Sequence, residues 1–134
     1  MIYFLDSNVC VYFLKGLYPS IKENIRNTNP NNIKIPAIVK AELLYGAEKS
    51  QHKIKNLTNI NRFFEPFEIV PFNDDCSIVY AKIRCEMEMK GAIIGPNDYI
   101  IAATVLANNG ILVTNNTKEF GRVNHLRIEN WIAK

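Results

Sequence analysis

With 134 residues, 48% apolar, 10% aromatic and 22% charged, the chain is long enough for one hydrophobic core, and its composition excludes a disordered, fibrous or disulfide-dense protein. Sixteen Lys and Arg against 13 acids leave a formal charge of +3, which permits a polyanionic substrate without demanding one and is too dispersed to form a basic tail.

The sequence opens on MIYFLDSN, with no basic lead-in and no long apolar run, so no secretory leader is expected there, and no later run is long enough to span a bilayer. Ile2 to Leu5 reads as a short buried strand ending at Asp6, followed by a helix through VCVYFLKG that stops at Gly16. Pro19 to Asn27 predicts a short surface helix, NTNPNN a loop, and Ile33 to Ile35 a second strand. Pro36 suits the first turn of a helix running through AIVKAELLYGAEKS, with Glu42 inside it and Ile38, Leu43, Leu44 and Ala47 on its apolar face. Gln51 to Phe64 keeps helical spacing through Ile54, Leu57, Ile60 and Phe64, and Pro66 closes it before the strand FEIV at 67–70. Asn73 caps a helix reaching Lys90, with Asp74 and Asp75 complementing its dipole. A nearly all-apolar and therefore buried helix opens at Pro96, Asn97 and Asp98 and ends before Gly110. ILVT at 111–114 is another interior strand, and the tail gives one helical turn and a short edge strand near Leu126 to Ile128.

Short, continuously apolar strands alternating with helices predict a three-layer α/β/α sandwich around a mostly parallel sheet. In such sheets ligands bind beyond the carboxyl ends of the strands, where the strand order reverses. Asp6 and Asn116 each follow a strand at that end. Cys10, Cys76 and Cys85 lie among apolar neighbours with no C-x-x-C pair and are read as buried thiols of a reducing compartment, the cytoplasm. His52 and His125 are isolated and read as surface residues, with no zinc spacing around them.

Taken singly, each acid of interest has an ordinary job: Asp6 as a helix cap, Glu42 as a solvated helix residue, Asp98 as a complement to a helix dipole. Together they are three acids at strand ends or on flanking helices, among small or apolar neighbours. Mg²⁺ or Mn²⁺ takes one or two carboxylates plus water and substrate phosphate, and polarises a phosphodiester for hydrolysis. Lys49, Lys53, Lys55 and Arg62 are either phosphate contacts to a polyanionic substrate or a solvated face. Tyr12, Phe13 and Tyr45 are either core or a groove for a second copy or another protein.

MIYFLDSN, AELLYGAEKS, IGPNDYIIAA and LVTNNTKEF, in this order and spacing, resemble the PIN-domain toxins called VapC of bacterial toxin–antitoxin pairs, across essentially the whole chain. The resemblance implies one PIN-like domain over 1–134, a parallel-sheet α/β/α fold, and an Mg²⁺- or Mn²⁺-dependent endoribonuclease. It also implies a cognate antitoxin partner, a homodimer and a higher assembly with the antitoxin. Carried over by residue, it makes Asp6 and Asp98 the metal ligands and Glu42 the group that orients water or serves a second cation position, with Ser7 and Asn8 either assisting or starting the helix. Where relatives carry a fourth acid after the penultimate strand, this sequence reads Thr114, Asn115, Asn116. Asn116 offers a carbonyl oxygen and Glu119 stands three residues on, which favours one cation over two. The TNNTKEF wording is similar to enteric plasmid-type relatives, whose target class is initiator tRNA cut in the anticodon loop. Two rivals stand beside this reading. A dehalogenase-like phosphatase needs a second Asp two residues after the first, where Asn8 stands. A catalytically silent PIN-fold module would act only through its antitoxin.

Overall fold

A computed structural model describes residues 1–132 of the chain; Ala133 and Lys134, inside the domain expected over 1–134, lie outside the described residues. The order is β1 (Tyr3–Leu5), α1 (Ser7–Leu14), α2 (Pro19–Asn27), a 3-10 turn (Pro30–Asn32), β2 (Ile33–Pro36), α3 (Ala37–Glu48), α4 (Lys53–Phe64), β3 (Glu68–Val70), α5 (Asp74–Met89), α6 (Pro96–Ala107), β4 (Ile111–Val113), α7 (Thr117–Phe120) and β5 (Arg127–Glu129). The strands form one parallel sheet in the order β3-β2-β1-β4-β5. Tyr3 pairs with Ile33 on one side and Ile111 on the other, and Leu5 stands opposite Val113.

Both faces of this sheet are covered. Successive strand residues point to opposite faces, yet Phe4 and Leu5 are both fully buried, as are Leu112 and Val113. That is why the central strands read as unbroken apolar runs. The edges differ: β3 carries exposed Glu68 and β5 exposed Arg127, charges that discourage pairing with another sheet. Lys34 of β2 reaches Glu68 at 3.2 Å. α5 and α6 pack against each other, while α1, α3 and α4 pack among themselves.

Several boundaries move from the sequence expectation for local reasons. Pro36 closes β2 opposite Val70 and caps α3 with extended backbone, φ −60° and ψ 139°, so it belongs to the strand end and not to the first helical turn. α4 begins at Lys53 because the Ser50 hydroxyl accepts from the His52 amide (3.0 Å) and holds a turn there. Ile54 is exposed despite its place in the apolar pattern. Cys85, expected to be buried, is exposed. α5 buries the stripe Cys76, Ile83, Met87, and a residue two places beyond Ile83 lies about 200° around the helix, on its outer face. No helix among the described residues is long and apolar enough to cross a membrane.

The strand order turns around at β1 and β4: successive crossovers run outward from β1 through β2 to β3, and in the other direction from β4 to β5. A crevice therefore opens beyond the carboxyl ends of β1 and β4.

Candidate active site

Asp6 is the first residue beyond β1. Its backbone amide donates to the Val113 carbonyl (3.0 Å), which extends the β1–β4 ladder by one bond and fixes the residue at the crevice. Its side chain caps α1, with Oδ1 accepting from the Ser7 amide at 2.7 Å, and Oδ2 accepts from the Thr114 hydroxyl at 2.7 Å. Asp6 is 5% exposed and Thr114 fully buried. Burial pushes the Asp6 carboxyl above its ordinary acidity, the bonds from Thr114 and Ser7 pull it back, and the charge of Glu42 adds a smaller upward push.

α3 starts at the carboxyl end of β2, the neighbour of β1, so Glu42 in its second turn overhangs the same crevice. Its two oxygens are both engaged: Oε1 accepts from the Ser7 hydroxyl at 2.5 Å and Oε2 from the Asn97 side-chain amide at 3.1 Å. Ser7 thus bridges the two acids, its amide on Asp6 and its hydroxyl on Glu42. Asp98 sits in the first turn of α6, beside Gly95, where an added Cβ would stand 3.3 Å from Asp98 Oδ2. Burial, followed by the charges of Asp6, Glu119 and Glu42 and a hydrogen bond to the Glu119 side chain, raises its carboxyl from 3.8 to about 6.

Four carboxylates, Asp6, Glu42, Asp98 and Glu119, therefore meet at the switch point. The ion pairs among the described residues, Lys34–Glu68, Lys53–Glu48 and Arg84–Glu88, are all elsewhere. Like charges held this close without a basic partner are costly, and a cation removes the cost. No group of three His, Cys, Asp or Glu side chains among the described residues is placed to hold a metal ion by itself. An open, all-oxygen donor set fits a hard ion such as Mg²⁺ or Mn²⁺, which keeps several waters and takes only one or two carboxylates.

The PIN-domain family matches residues 3–126. The chain belongs to the PIN-domain VapC ribonucleases. It is similar to Ribonuclease VapC2 of Rickettsia felis, 45% identical over 132 residues and 98% of each chain. It is also similar to the tRNA(fMet)-specific endonuclease VapC of Shigella flexneri, 36% identical over 129 residues, 96% of this chain and 97% of that one. Among solved structures, VapBC2 from Rickettsia felis bound to a DNA fragment from their promoter superposes with a TM-score of 0.92 at 44% identity, covering 98% of this chain and 99% of that one. DNA-bound VapBC from Salmonella typhimurium gives 0.92 at 34% identity and 98% of both.

Within this PIN domain the acids singled out in the sequence converge, but Asn116 stands differently. Its side-chain amide donates to Glu119 (3.3 Å) and its backbone amide to the Thr114 hydroxyl (3.0 Å). It is Glu119 that reaches Asp98. Thr114, Ser7 and Asn97 are the positioning residues of the cluster. Sequence reading missed Thr114 and the role of Asn97; the available signal was a lone hydroxyl ending an otherwise apolar strand. Two of the four basic residues after Glu42 have local partners: Lys53 pairs with Glu48 at 2.8 Å, and the Lys49 ammonium lies 4.7 Å from the Tyr45 ring centroid. His52 and His125 are exposed. Phe13 packs on Phe63 at 5.0 Å between ring centroids and Tyr12 on Tyr18 at 5.1 Å, whereas Tyr45 is exposed.

Proposed function

We propose that this PIN domain is the toxin of a toxin–antitoxin pair, an endoribonuclease that hydrolyses RNA phosphodiesters with Mg²⁺ or Mn²⁺. The observation that carries the proposal is the meeting of Asp6, Glu42, Asp98 and Glu119 at one end of the sheet with no basic partner among the described residues. Asp6 and Asp98 would hold the ion. When bound, such an ion activates water, neutralises charge on the scissile phosphate and stabilises the leaving oxygen. Glu42, pinned through both oxygens by Ser7 and Asn97, orients the attacking water. Asn116 contributes by steadying Glu119, the nearest substitute for the missing fourth acid.

The tRNA(fMet)-specific names of the Shigella and Salmonella relatives support initiator tRNA as substrate, with the cut in the anticodon loop. The VapBC complexes among the solved structures support a small antitoxin as partner. The same reading takes 1–134 as one domain, working as a homodimer in the cytoplasm and assembling further with the antitoxin.

Purified chain incubated with total tRNA, with and without Mg²⁺ or Mn²⁺ and beside Asp98→Asn, tests this. A discrete metal-dependent cut lost in the variant is expected. No cut, or one that survives both chelator and substitution, would overturn it in favour of a silent binding module.

A further inference from the structure

The surface beside Glu119 carries exposed cations that pair with no acid among the described residues. Lys118 and Arg122 both face solvent, while Phe120 and Val123 turn inward. The backbone keeps winding past α7, with the Gly121 amide on the Thr117 carbonyl (2.9 Å) and the Arg122 amide on the Glu119 carbonyl (3.1 Å). Arg122 therefore lies about one turn, roughly 6 Å, beyond Lys118. It shares a surface depression with Lys90, the C-cap of α5, and with Glu86 and Asn124. Lys82, Glu86 and Lys90, all exposed, follow one another at four-residue spacing along α5, which makes them neighbours on one helix face. Glu86 has a lysine on either side, yet its carboxylate accepts from the Asn124 side-chain amide at 3.3 Å. The ion pairs of the described residues include none of Lys82, Lys90, Lys118 and Arg122.

We propose that Lys118, Arg122, Lys90 and Lys82 form a track for the phosphate backbone of the RNA flanking the cut, leading it from the carboxylate crevice across α7 onto the outer face of α5. The proposal rests on the nuclease reading above, which supplies the polyanion. Glu119 fixes where the track begins: that acid is bonded to Asp98 in the crevice, and Lys118 immediately precedes it in the chain. The ion proposed above serves the scissile phosphate alone, and the carboxylates that hold it repel the phosphates on either side. Those phosphates need cations outside the cluster. Single, unpaired cations repeated along a surface suit a backbone that carries one charge per nucleotide. A stacked strand rises about 3.4 Å per nucleotide, so the step from Lys118 to Arg122 spans about two nucleotides. Lys82, two turns back along α5 from Lys90, extends the row by about 12 Å. Contacts of this kind read charge and not sequence, so the track supplies affinity and register while the choice of base lies elsewhere.

Binding of fluorescently labelled tRNA(fMet) is measured in EDTA between about 50 and about 200 mM salt. Wild type, Lys118→Gln, Arg122→Gln, the double variant and Arg122→Lys are compared, and each protein is melted. Each lost charge is expected to make the slope of log affinity against log salt shallower by about 0.7–0.9, so that over this range wild type loses about threefold more affinity than a single variant. Arg122→Lys is expected to keep the wild-type slope. Melting temperatures should stay within about 2 °C, since the substitutions lie on the exposed surface. In cleavage with Mg²⁺ the loss falls on KM and leaves kcat. A wild-type slope in the double variant would overturn the track, as would equal losses in Arg122→Lys and Arg122→Gln, or a loss in kcat with binding unchanged. The expected slopes in a protein that cuts no RNA would overturn the nuclease reading alone. No binding of tRNA at the lowest salt would overturn both.

Discussion

Asp98→Asn should make the cation-free protein more stable at neutral pH and leave it unchanged in acid. The Asp98 carboxyl is raised from 3.8 to about 6, by burial first and then by the charges of Asp6, Glu119 and Glu42. A folded-state value above the unfolded one means that the folded chain binds this proton more tightly. Stability is therefore full below about pH 4 and falls as pH rises through about 6. A tenfold change in acid constant is worth about 1.36 kcal/mol, so the ceiling is about 3 kcal/mol, and solvent screening at this half-buried site reduces it to about 1.5. Asparagine also gives up the favourable placement of a negative charge in the first turn of α6, about 0.3–1 kcal/mol. The net gain is about 1 kcal/mol. Urea denaturation in EDTA at about pH 4 and about pH 7.5 measures it through the difference between the two curves. A variant no more stable than wild type at the higher pH, or one with the same gain at both, would refute the crowding of these carboxylates. Adding Mg²⁺ should then stabilise wild type more than the variant, because only binding to the folded state shifts the transition.

Thr114→Val removes the hydroxyl that donates to Asp6 and accepts from the Asn116 amide; a loss of about 1–3 kcal/mol is expected in denaturant titration, together with weaker cleavage. Gly110→Ala would put a Cβ 2.4 Å from two ring carbons of the fully buried Phe4, and the same titration should report a loss of about 1–3 kcal/mol. Thiol labelling of the native protein should modify Cys85 quickly and leave Cys10 and Cys76, both buried. For Cys10 the thiolate is further disfavoured by burial and by the charge of Asp6. Rapid modification of Cys10 would contradict its placement.

Much of this was legible in the sequence because the central strands, covered on both faces, leave a one-dimensional trace: IYFL and ILV are apolar without alternation, while IKI breaks its run only at Lys34, which reaches Glu68 on the edge strand. Asp6 and Asp98 were visible for a related reason, each being an acid at the junction of an apolar run and a helix. Glu42 was visible only as part of the set, since nothing local separates it from a solvated helix residue. Thr114 and Asn97 were out of reach. Their importance comes from β4 lying beside β1 and from α6 opening opposite α3, and pairing of that range has no local signature. Cys85 and Ile54 were misjudged because apolar neighbours in sequence are not neighbours on a helix, where a side chain two places away faces the other side. Asn116 was chosen by its place after the strand; its side-chain amide donates to Glu119, the acid that reaches Asp98.

The bond between Asp6 and Thr114 joins residues 108 positions apart, with Glu119 still further along. During synthesis the first acid of the cluster leaves the ribosome long before the strand that anchors it exists, and β1 cannot take its central place until β4 has emerged. On the proposed reading, a growing chain cannot cut RNA until nearly all of it has been made, and a product cut short before Thr114 never completes the cluster.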